Sequence, residues 1–251
     1  MRNRLVSFVF GTMTFAVLLA ACGSDDPDAS ASFIAPSDGE AVSGAIQLSM
    51  AADGIEIEEA GEARDGAGHF HVIADVGCVK SGEAIERDKD RVHFGKGQST
   101  GAIYLAAGRH DLCLQVGDGL HTALDVTSSI NVDAKVTDIE QWCAVIGEVD
   151  VMFEAVDSSD DEFTVKQVGY ENIRRLLDQL TDAIELVDED VRVDIAAALG
   201  FADALVTAMV DAANPAEAEQ AVEPIFESIA DGEEFPGSEW ILETCDVDID
   251  G

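Results

Sequence analysis

The spacing of hydrophobic positions changes near residue 136 and divides the chain into two parts. Before this point, short runs alternate apolar and polar residues between Gly and Asp turns, a pattern typical of strands with one buried face. Six such runs occupy residues 45–50, 69–76, 92–94, 101–105, 111–116 and 128–132. This number of short strands predicts an immunoglobulin-like antiparallel β-sandwich over residues 33–134. A barrel with a similar number of strands is the alternative.

After residue 136, apolar residues recur every three or four positions, as on one face of an α-helix. Two such series are Ile139, Trp142, Cys143, Ile146, Val149 and Phe153, and then Ile173, Leu176, Leu177, Leu180, Ile184 and Val187. A third helix is predicted over 191–213, and a fifth over 239–244. A fourth begins at Asn214, where Asn at the cap is followed by Pro and, two residues later, by Glu. The fold class is therefore α+β, with a C-terminal antiparallel helical bundle over residues 135–251.

The first 21 residues are organised as a signal peptide, with a basic start and a long apolar run. They end in Leu-Ala-Ala followed by Cys22, which resembles the lipobox of bacterial lipoproteins. The resemblance implies cleavage before Cys22, lipidation of its thiol, and anchoring of an exported chain to the cell membrane or outer membrane. An ordinary secretory signal or an uncleaved anchor helix is the alternative. Residues 22–32 are polar and acidic, which predicts a flexible tether.

The charge of the chain excludes one class of partner. Its 251 residues contain 51 acidic and 14 basic side chains, which give a formal net charge of −37. Binding to nucleic acid requires clustered Lys and Arg, so we expect no nucleic-acid partner. Acidic residues spread over both halves are typical of a solubilising surface.

Four cysteines remain after Cys22, and an even number in an exported chain favours disulfides. Four cysteines allow three pairings. We predict Cys78 with Cys113 and Cys143 with Cys245, because each pair then lies within one half of the chain. Metal ligation is the alternative, although no Cys-x-x-Cys pair supports it.

All five histidines lie between residues 69 and 121, inside the predicted β domain. They are the candidate metal ligands His69, His71, His93, His110 and His121. Histidine is the commonest neutral metal ligand, and this confinement suggests a local chemical task. His69 and His71 are two residues apart on a predicted strand, so their side chains project from the same face.

Three motifs carry these histidines. They are Gly-His-Phe-His at 68–71, His-Phe-Gly-Lys-Gly-Gln at 93–98, and the stretch 108–121, which contains Gly-Asp-Gly-Leu-His. In this order they resemble a bacterial family of exported His-rich β-sandwich domains of unknown function. The resemblance covers roughly residues 33 to 133 and implies a β-sandwich, but it implies no activity. This chain departs from the family at Phe70, where a histidine is usual, and at 122–124, where a Pro-His pair is usual.

We predict that three or four of the histidines converge on Zn²⁺ or Cu²⁺, with Asp75 or Asp118 as an oxygen ligand or as a partner of a ligand. The protein would then be a membrane-tethered metal-binding lipoprotein. The alternative is an interaction or adhesion module for an envelope component, in which the histidines are structural. We do not predict an enzyme, because no nucleophile elbow, phosphate loop or zinc-protease helix is present.

Overall fold

A computed structural model of the chain describes residues 29–159, 162–226 and 237–247. The predicted signal peptide and Cys22 lie outside these residues. The described part combines β-sheets with five α-helices and is therefore α+β, as the sequence predicts. Its strands are β1 (Ser30–Ala35), β2 (Glu40–Val42), β3 (Ile46–Asp53), β4 (Glu56–Ile57), β5 (Ala67–Ala74), β6 (Arg91–Phe94), β7 (Thr100–Ile103), β8 (Gly108–Gly117) and β9 (Ala123–Ala134).

The smaller sheet has the strand order β1-β3-β7, with antiparallel pairing throughout. β1 begins at Ser30, so the predicted tether is too long by three residues at its C-terminal end. Residues 30–32 pair with Ala51, Ala52 and Asp53 of β3, and Ala31 is buried in the core. This polar sequence becomes a strand because its backbone hydrogen-bonds to β3 and its one small apolar side chain faces inward.

The larger sheet has the order β2-β9-β8-β5-β4, with β6 also paired to β5, and it curls as a half-barrel. Alternate residues of both sheets form one apolar core, which includes Leu48, Phe70, Val72, Leu114 and Val132. The opposite face of the larger sheet carries a second, smaller cluster of Ile73, Ile85, Cys113 and Ala123. β5 is therefore buried on both faces, a position that determines the environment of its two histidines.

The helices follow the last strand. They are α1 (Ile139–Ser158), α2 (Phe163–Asp182), α3 (Arg192–Asp211), α4 (Pro215–Phe226) and α5 (Ser238–Cys245). Asp138 caps α1 by accepting a hydrogen bond from the Gln141 backbone N–H. The apolar series that predicted one helix up to Val187 ends instead in a separate 3₁₀ turn, Ile184–Leu186. Trp142, Ile173 and Ile241 belong to the shared apolar core of these helices.

Among the described residues, one helix is long and apolar enough to cross a membrane by length and composition alone. It is α3, Arg192–Asp211. Ile195, Leu199 and Val206 of this helix are buried in the helical core. The core helix of a soluble protein passes the same test, so this finding assigns no membrane span.

Both predicted cysteine pairs lie at disulfide distance. Cys78 and Cys113 join the loop after β5 to β8, and Cys143 and Cys245 join α1 to α5. Each bridge therefore lies within one half of the chain, as predicted.

Hydrogen bonds from the helices hold the two halves together. The buried Gln179 amide of α2 accepts from the Gly44 N–H and donates to the Leu105 carbonyl. Glu148 of α1 accepts from the Ala45 N–H, and burial raises the pKa of its carboxyl. Gly44, Ala45 and Leu105 do not belong to the strands or the turn that carry the site described next.

Candidate metal centre

His69 and His71 project from the same face of β5. Phe70 and Val72, which alternate with them, point into the main core, so the two imidazoles lie on the opposite face of the sheet. Both histidines are nevertheless almost completely buried, with 0% and 1% of their surface exposed. The sequence predicted the shared face correctly, and the structure encloses that face within the protein.

Strand pairing brings His93 to the same place. β5 and β6 are antiparallel, and His71 lies directly opposite His93 in their register. Directly opposed residues on one face have Cβ atoms about 4.5 to 5.5 Å apart, so their side chains meet. The two ring centroids are 5.1 Å apart.

The turn between β8 and β9 supplies the fourth histidine, His121. The carboxylate of Asp118 fixes this turn by accepting hydrogen bonds from the backbone N–H groups of Leu120 and Thr122. His121 has a φ of +67°, in the left-handed region that non-glycine residues rarely adopt. Such conformations cost roughly 1 to 3 kcal/mol and concentrate at functional sites.

The four imidazoles form a compact cluster. Their ring centroids lie 4.7 to 5.7 Å apart. The Nε2 atoms of His69 and His71 are 2.9 Å apart, and those of His93 and His121 are 3.0 Å apart. Ligand nitrogens of His69, His71 and His93 all lie within 4.8 Å of one another. Since a metal–imidazole bond is about 2 Å long, one ion between these rings requires only a small rearrangement.

A loop covers the cluster from outside the sheet. The Cys78–Cys113 disulfide fixes its beginning, and the buried Gln115 side chain holds Val79 through both its N–H and its carbonyl. Further along, the Ile85 N–H donates to the His121 carbonyl. The covering loop is therefore attached both to the sheet and to the turn that carries a histidine.

Two glycines leave room for the imidazoles. A Cβ atom on Gly95 would lie 2.0 Å from Cε1 and 2.3 Å from Nε2 of His93. A Cβ atom on Gly117, which lies opposite His69 in the sheet, would be 3.0 Å from Nε2 of His71. Both glycines belong to the motifs of the resemblance. Neither has a positive φ, and at both positions the missing Cβ leaves room for an imidazole ring.

The environment keeps the buried histidines neutral. Desolvation, together with repulsion by His93 and His121, lowers the pKa of His69 to about 4, against a smaller opposing effect of Asp118. Desolvation and the neighbouring rings, with Arg87, lower the pKa of His71 to about 3. Burial also lowers the pKa of His93. Neutral imidazole is the form that binds metals, so three of the four rings are ready to act as ligands at neutral pH.

One nitrogen of the cluster has no partner among the described residues. Nδ1 of His69 is fully buried and makes no hydrogen bond. An unsatisfied buried polar atom costs roughly 1 to 3 kcal/mol, so such atoms call for an explanation. A ligand bound among the imidazoles would explain why this ring is buried with an unpaired nitrogen, which packing alone does not explain.

His110 lies apart from the cluster. Its Nδ1 is 2.7 Å from the Asp75 carboxylate and its Nε2 is 2.9 Å from the Ala106 carbonyl. It lines a different cavity, of about 540 Å³, between the β-sheets and the helices. Asp75 is thus the partner of His110, and Asp118 holds a turn, so neither carboxylate occupies the ligand position suggested from the sequence.

Sequence reasoning missed three residues of this site: Arg87, Gly95 and Gln115. Gly95 belongs to the motif at 93–98, but a glycine beside Gly97 is also typical of a turn, so the sequence alone does not indicate that it makes room for a ring. Arg87 and Gln115 stand in no motif. Their proximity depends on how the covering loop folds back over the sheet, which no local pattern encodes.

The fold and the cluster define a class: a β domain with a group of four histidines from two strands and a turn, two of them buried and two partly exposed. Residues 48–136 match the sequence profile of a family described as "Domain of unknown function (DUF4399)". This match contains all five histidines and confirms the predicted relationship to a domain of unknown function.

Two other comparisons add no functional information. Comparison with curated proteins gives no match. The solved structure titled "X-ray structure of the endo-beta-1,4-mannanase from Thermotoga petrophila" is similar at 17% identity and a TM-score of 0.28, over 46% of this chain and 22% of that chain. The present chain thus spans less than a quarter of that relative, and a TM-score this low supports no conclusion about fold or function.

Proposed function

We propose that the protein is an exported, membrane-tethered lipoprotein that binds one Zn²⁺ or Cu²⁺ ion through His69, His71, His93 and His121. The observation that carries the proposal is the convergence of ligand nitrogens of His69, His71 and His93, from two strands, within 4.8 Å of one another, with Nε2 of His121 from the adjacent turn 3.0 Å from Nε2 of His93. Imidazole suits both ions, and three or four such ligands are the usual number for a metal centre. His110 is outside the proposed ligand set, because both of its nitrogens already face acceptors.

The buried, unpaired Nδ1 of His69 favours metal binding over the alternative of purely structural histidines. Structural histidines normally satisfy their nitrogens with backbone or carboxylate partners, as His110 does. In the cluster, by contrast, the hydrogen bonds of the Nε2 atoms to described residues join the imidazoles in pairs, His69 with His71 and His93 with His121. An adhesion module would have no need for four imidazoles directed at one point.

We also propose an exported location with a lipid anchor at Cys22, and an immunoglobulin-like sandwich followed by an antiparallel helical bundle. Two disulfides suit an oxidising compartment outside the cytoplasm, and the lipobox-like sequence before Cys22 supports a lipid anchor. The two sheets around one core support an immunoglobulin-like sandwich, and the pairwise packing of the helices supports an antiparallel bundle. Globomycin-sensitive processing and labelling by radioactive palmitate, both lost in Cys22→Ala, would test the anchor.

Calorimetric titration of the full chain in detergent, after treatment with a chelator, tests metal binding. We expect one Cu²⁺ or Zn²⁺ per chain, and loss of this binding in His71→Ala and in His93→Ala. His110→Ala is the matched control and should retain the stoichiometry. Electron paramagnetic resonance of the copper-loaded chain should show hyperfine coupling to several nitrogens.

Weak binding of metal to the many surface carboxylates is a background that all variants share. The proposal fails if the wild type shows only this background, or if His71→Ala and His93→Ala bind as tightly as His110→Ala. Since His71 is buried and its variant could lose its fold, far-ultraviolet circular dichroism accompanies each titration, and the less buried His93 provides the second variant.

A further inference from the structure

The proposed centre has no built-in negative charge to balance a divalent ion. Its four ligands are neutral imidazoles, so a bound M²⁺ would retain its full charge of two. Placing an unbalanced charge in a buried site is costly. Asp118 is the carboxylate that acts electrostatically on the cluster, through His69, and its Oδ1 atom accepts hydrogen bonds from two backbone N–H groups of its own turn.

The cluster is closed on one side and partly open on the other. His69 and His71 are almost fully buried, whereas His93 and His121 retain intermediate exposure. A further ligand can therefore reach a metal only past the second pair. This is also where the covering loop crosses the site, because the Ile85 N–H binds the His121 carbonyl and Ala84 pairs with Thr122.

Arg87 lies two residues beyond Ile85 on this loop. The next residue of the loop, Asp88, pairs with Arg91 at the start of β6, so Arg87 lies on the stretch of loop between the His121 turn and the strand that carries His93. Its positive charge also acts electrostatically on His71 and His93. Arg87 is exposed and has no hydrogen bond or ion pair with any described residue. Every other arginine in the described part has an acceptor: Arg64, Arg91, Arg174, Arg175 and Arg192 pair with carboxylates, and Arg109 binds Asn131.

A free arginine is unusual in a chain with 51 acidic residues. A surface carboxylate would satisfy it at little cost, yet the loop presents it beside the histidines instead. The guanidinium fork matches two oxygen atoms of a carboxylate or oxyanion. Four imidazoles would hold Cu²⁺ in a tetragonal arrangement, which leaves a position open for a further ligand. That position and the fork of Arg87 would together form a site for an anion with at least two oxygen atoms.

We propose that the copper-loaded protein binds a small oxyanion, such as a carboxylate, with one oxygen on the copper ion and another on Arg87. This inference rests on the proposed metal-binding function and specifies the ligand class of the same centre. The anion supplies the negative charge that the imidazoles lack, and Arg87 selects anions over neutral donors. In the metal-free protein, Arg87 alone holds such an anion only weakly, since a single exposed ion pair contributes little.

Azide is a convenient probe, because it binds open positions on Cu²⁺ and gives a charge-transfer absorption band. The copper-loaded full chain in detergent is first titrated with azide, and the bound azide is then displaced with acetate and, separately, with sulfate. We expect the band to appear, and acetate or sulfate to remove it. Arg87→Gln should weaken displacement by the oxyanions about ten- to hundredfold, as expected for loss of a charge-assisted hydrogen bond.

Two further variants distinguish the role of Arg87 from a general effect of charge. Arg87→Lys keeps the charge but loses the fork, so its effect should be intermediate. Arg109→Gln also removes one positive charge, but at the end of β8 that lies away from the histidine cluster, and it should leave oxyanion affinity unchanged. The inference is overturned if no azide band appears, if neither oxyanion displaces azide, or if Arg87→Gln behaves like Arg109→Gln. If copper does not bind at all, the calorimetric titration shows this first, and it is the proposed function that fails.

Discussion

The burial of His69 and His71 determines what these two residues contribute to the protein without metal. Desolvation and neighbouring rings, two for His69 and three for His71, keep both side chains neutral far below the ordinary pKa of histidine. The pair thus links metal binding and acid stability, because protons and a cation compete for the same nitrogens.

We predict that the metal-free protein loses stability as the pH falls from about 7 toward 5. The folded-state pKa values of His69 and His71, about 4 and 3, lie below the ordinary value of 6.5. Between these limits the unfolded chain binds more protons than the folded one. The stability is therefore fully present above about pH 6.5 and falls below it, by up to about 1.4 kcal/mol per pH unit for each histidine.

Urea unfolding in the presence of a chelator, at pH 7.5 and at pH 5.5, measures this change. The variant His69→Gln/His71→Gln is the control and should show a weaker dependence on pH. Equal unfolding free energies of the wild type at the two pH values would contradict the prediction. Nuclear magnetic resonance of the imidazole rings is an independent test that requires no variant, since the signals of His69 and His71 should not titrate in this range.

At the scale of elements, the sequence predicts individual strands well and their register poorly. All six predicted runs overlap strands, whereas β1, β2 and β4 correspond to none of these runs. The shared face of His69 and His71 follows from strand geometry alone. The meeting of His71 with His93 depends on the pairing of β5 with β6 across a long loop. A shift of one residue would have placed His93 on the other face. His110 shows the same limit of prediction from sequence. It lies on β8, but at the end opposite Gly117, and therefore away from the other four histidines.

We predict that Gly95→Ala weakens metal binding by about 10- to 100-fold, the effect usually seen when support for a ligand is lost. The added Cβ would lie 2.0 Å from Cε1 of His93, so the ring must leave its position. Competition of the copper-loaded protein with a chelator of known affinity measures the change. Gly61→Ala is the matched control, because a Cβ there meets nothing within 4 Å. Equal affinities of the two variants would contradict a role of Gly95 in positioning His93.

At the scale of the whole molecule, the helices support the β-sheets without forming the histidine site. Arg175 of α2 donates to the carbonyl groups of Tyr104 and Lys89, and the Asp178 carboxylate accepts from the Ala107 N–H. The junction with the helices thus involves the segment between β7 and β8 together with Gly44, Ala45 and Lys89, whereas the clustered histidines lie at the end of the sheet near Gly117. The change in hydrophobic period near residue 136 predicted two structural parts, but not these contacts, because polar side chains that bind backbone carbonyls leave no periodic signal.

We predict that Gln179→Leu reduces the stability of the protein without changing its metal stoichiometry. The Gln179 side chain is completely buried and satisfies the Gly44 N–H and the Leu105 carbonyl, so leucine would leave two buried groups unpaired. Each such group costs about 1 to 3 kcal/mol. Urea unfolding followed by circular dichroism measures the loss, and Gln47→Leu, at an exposed position of β3, is the control. A stability equal to that of the control would mean that these bonds do not hold the two halves together. Loss of metal binding in a folded Gln179→Leu variant would instead show that the helices help to form the histidine site, which would contradict their separation in the structure.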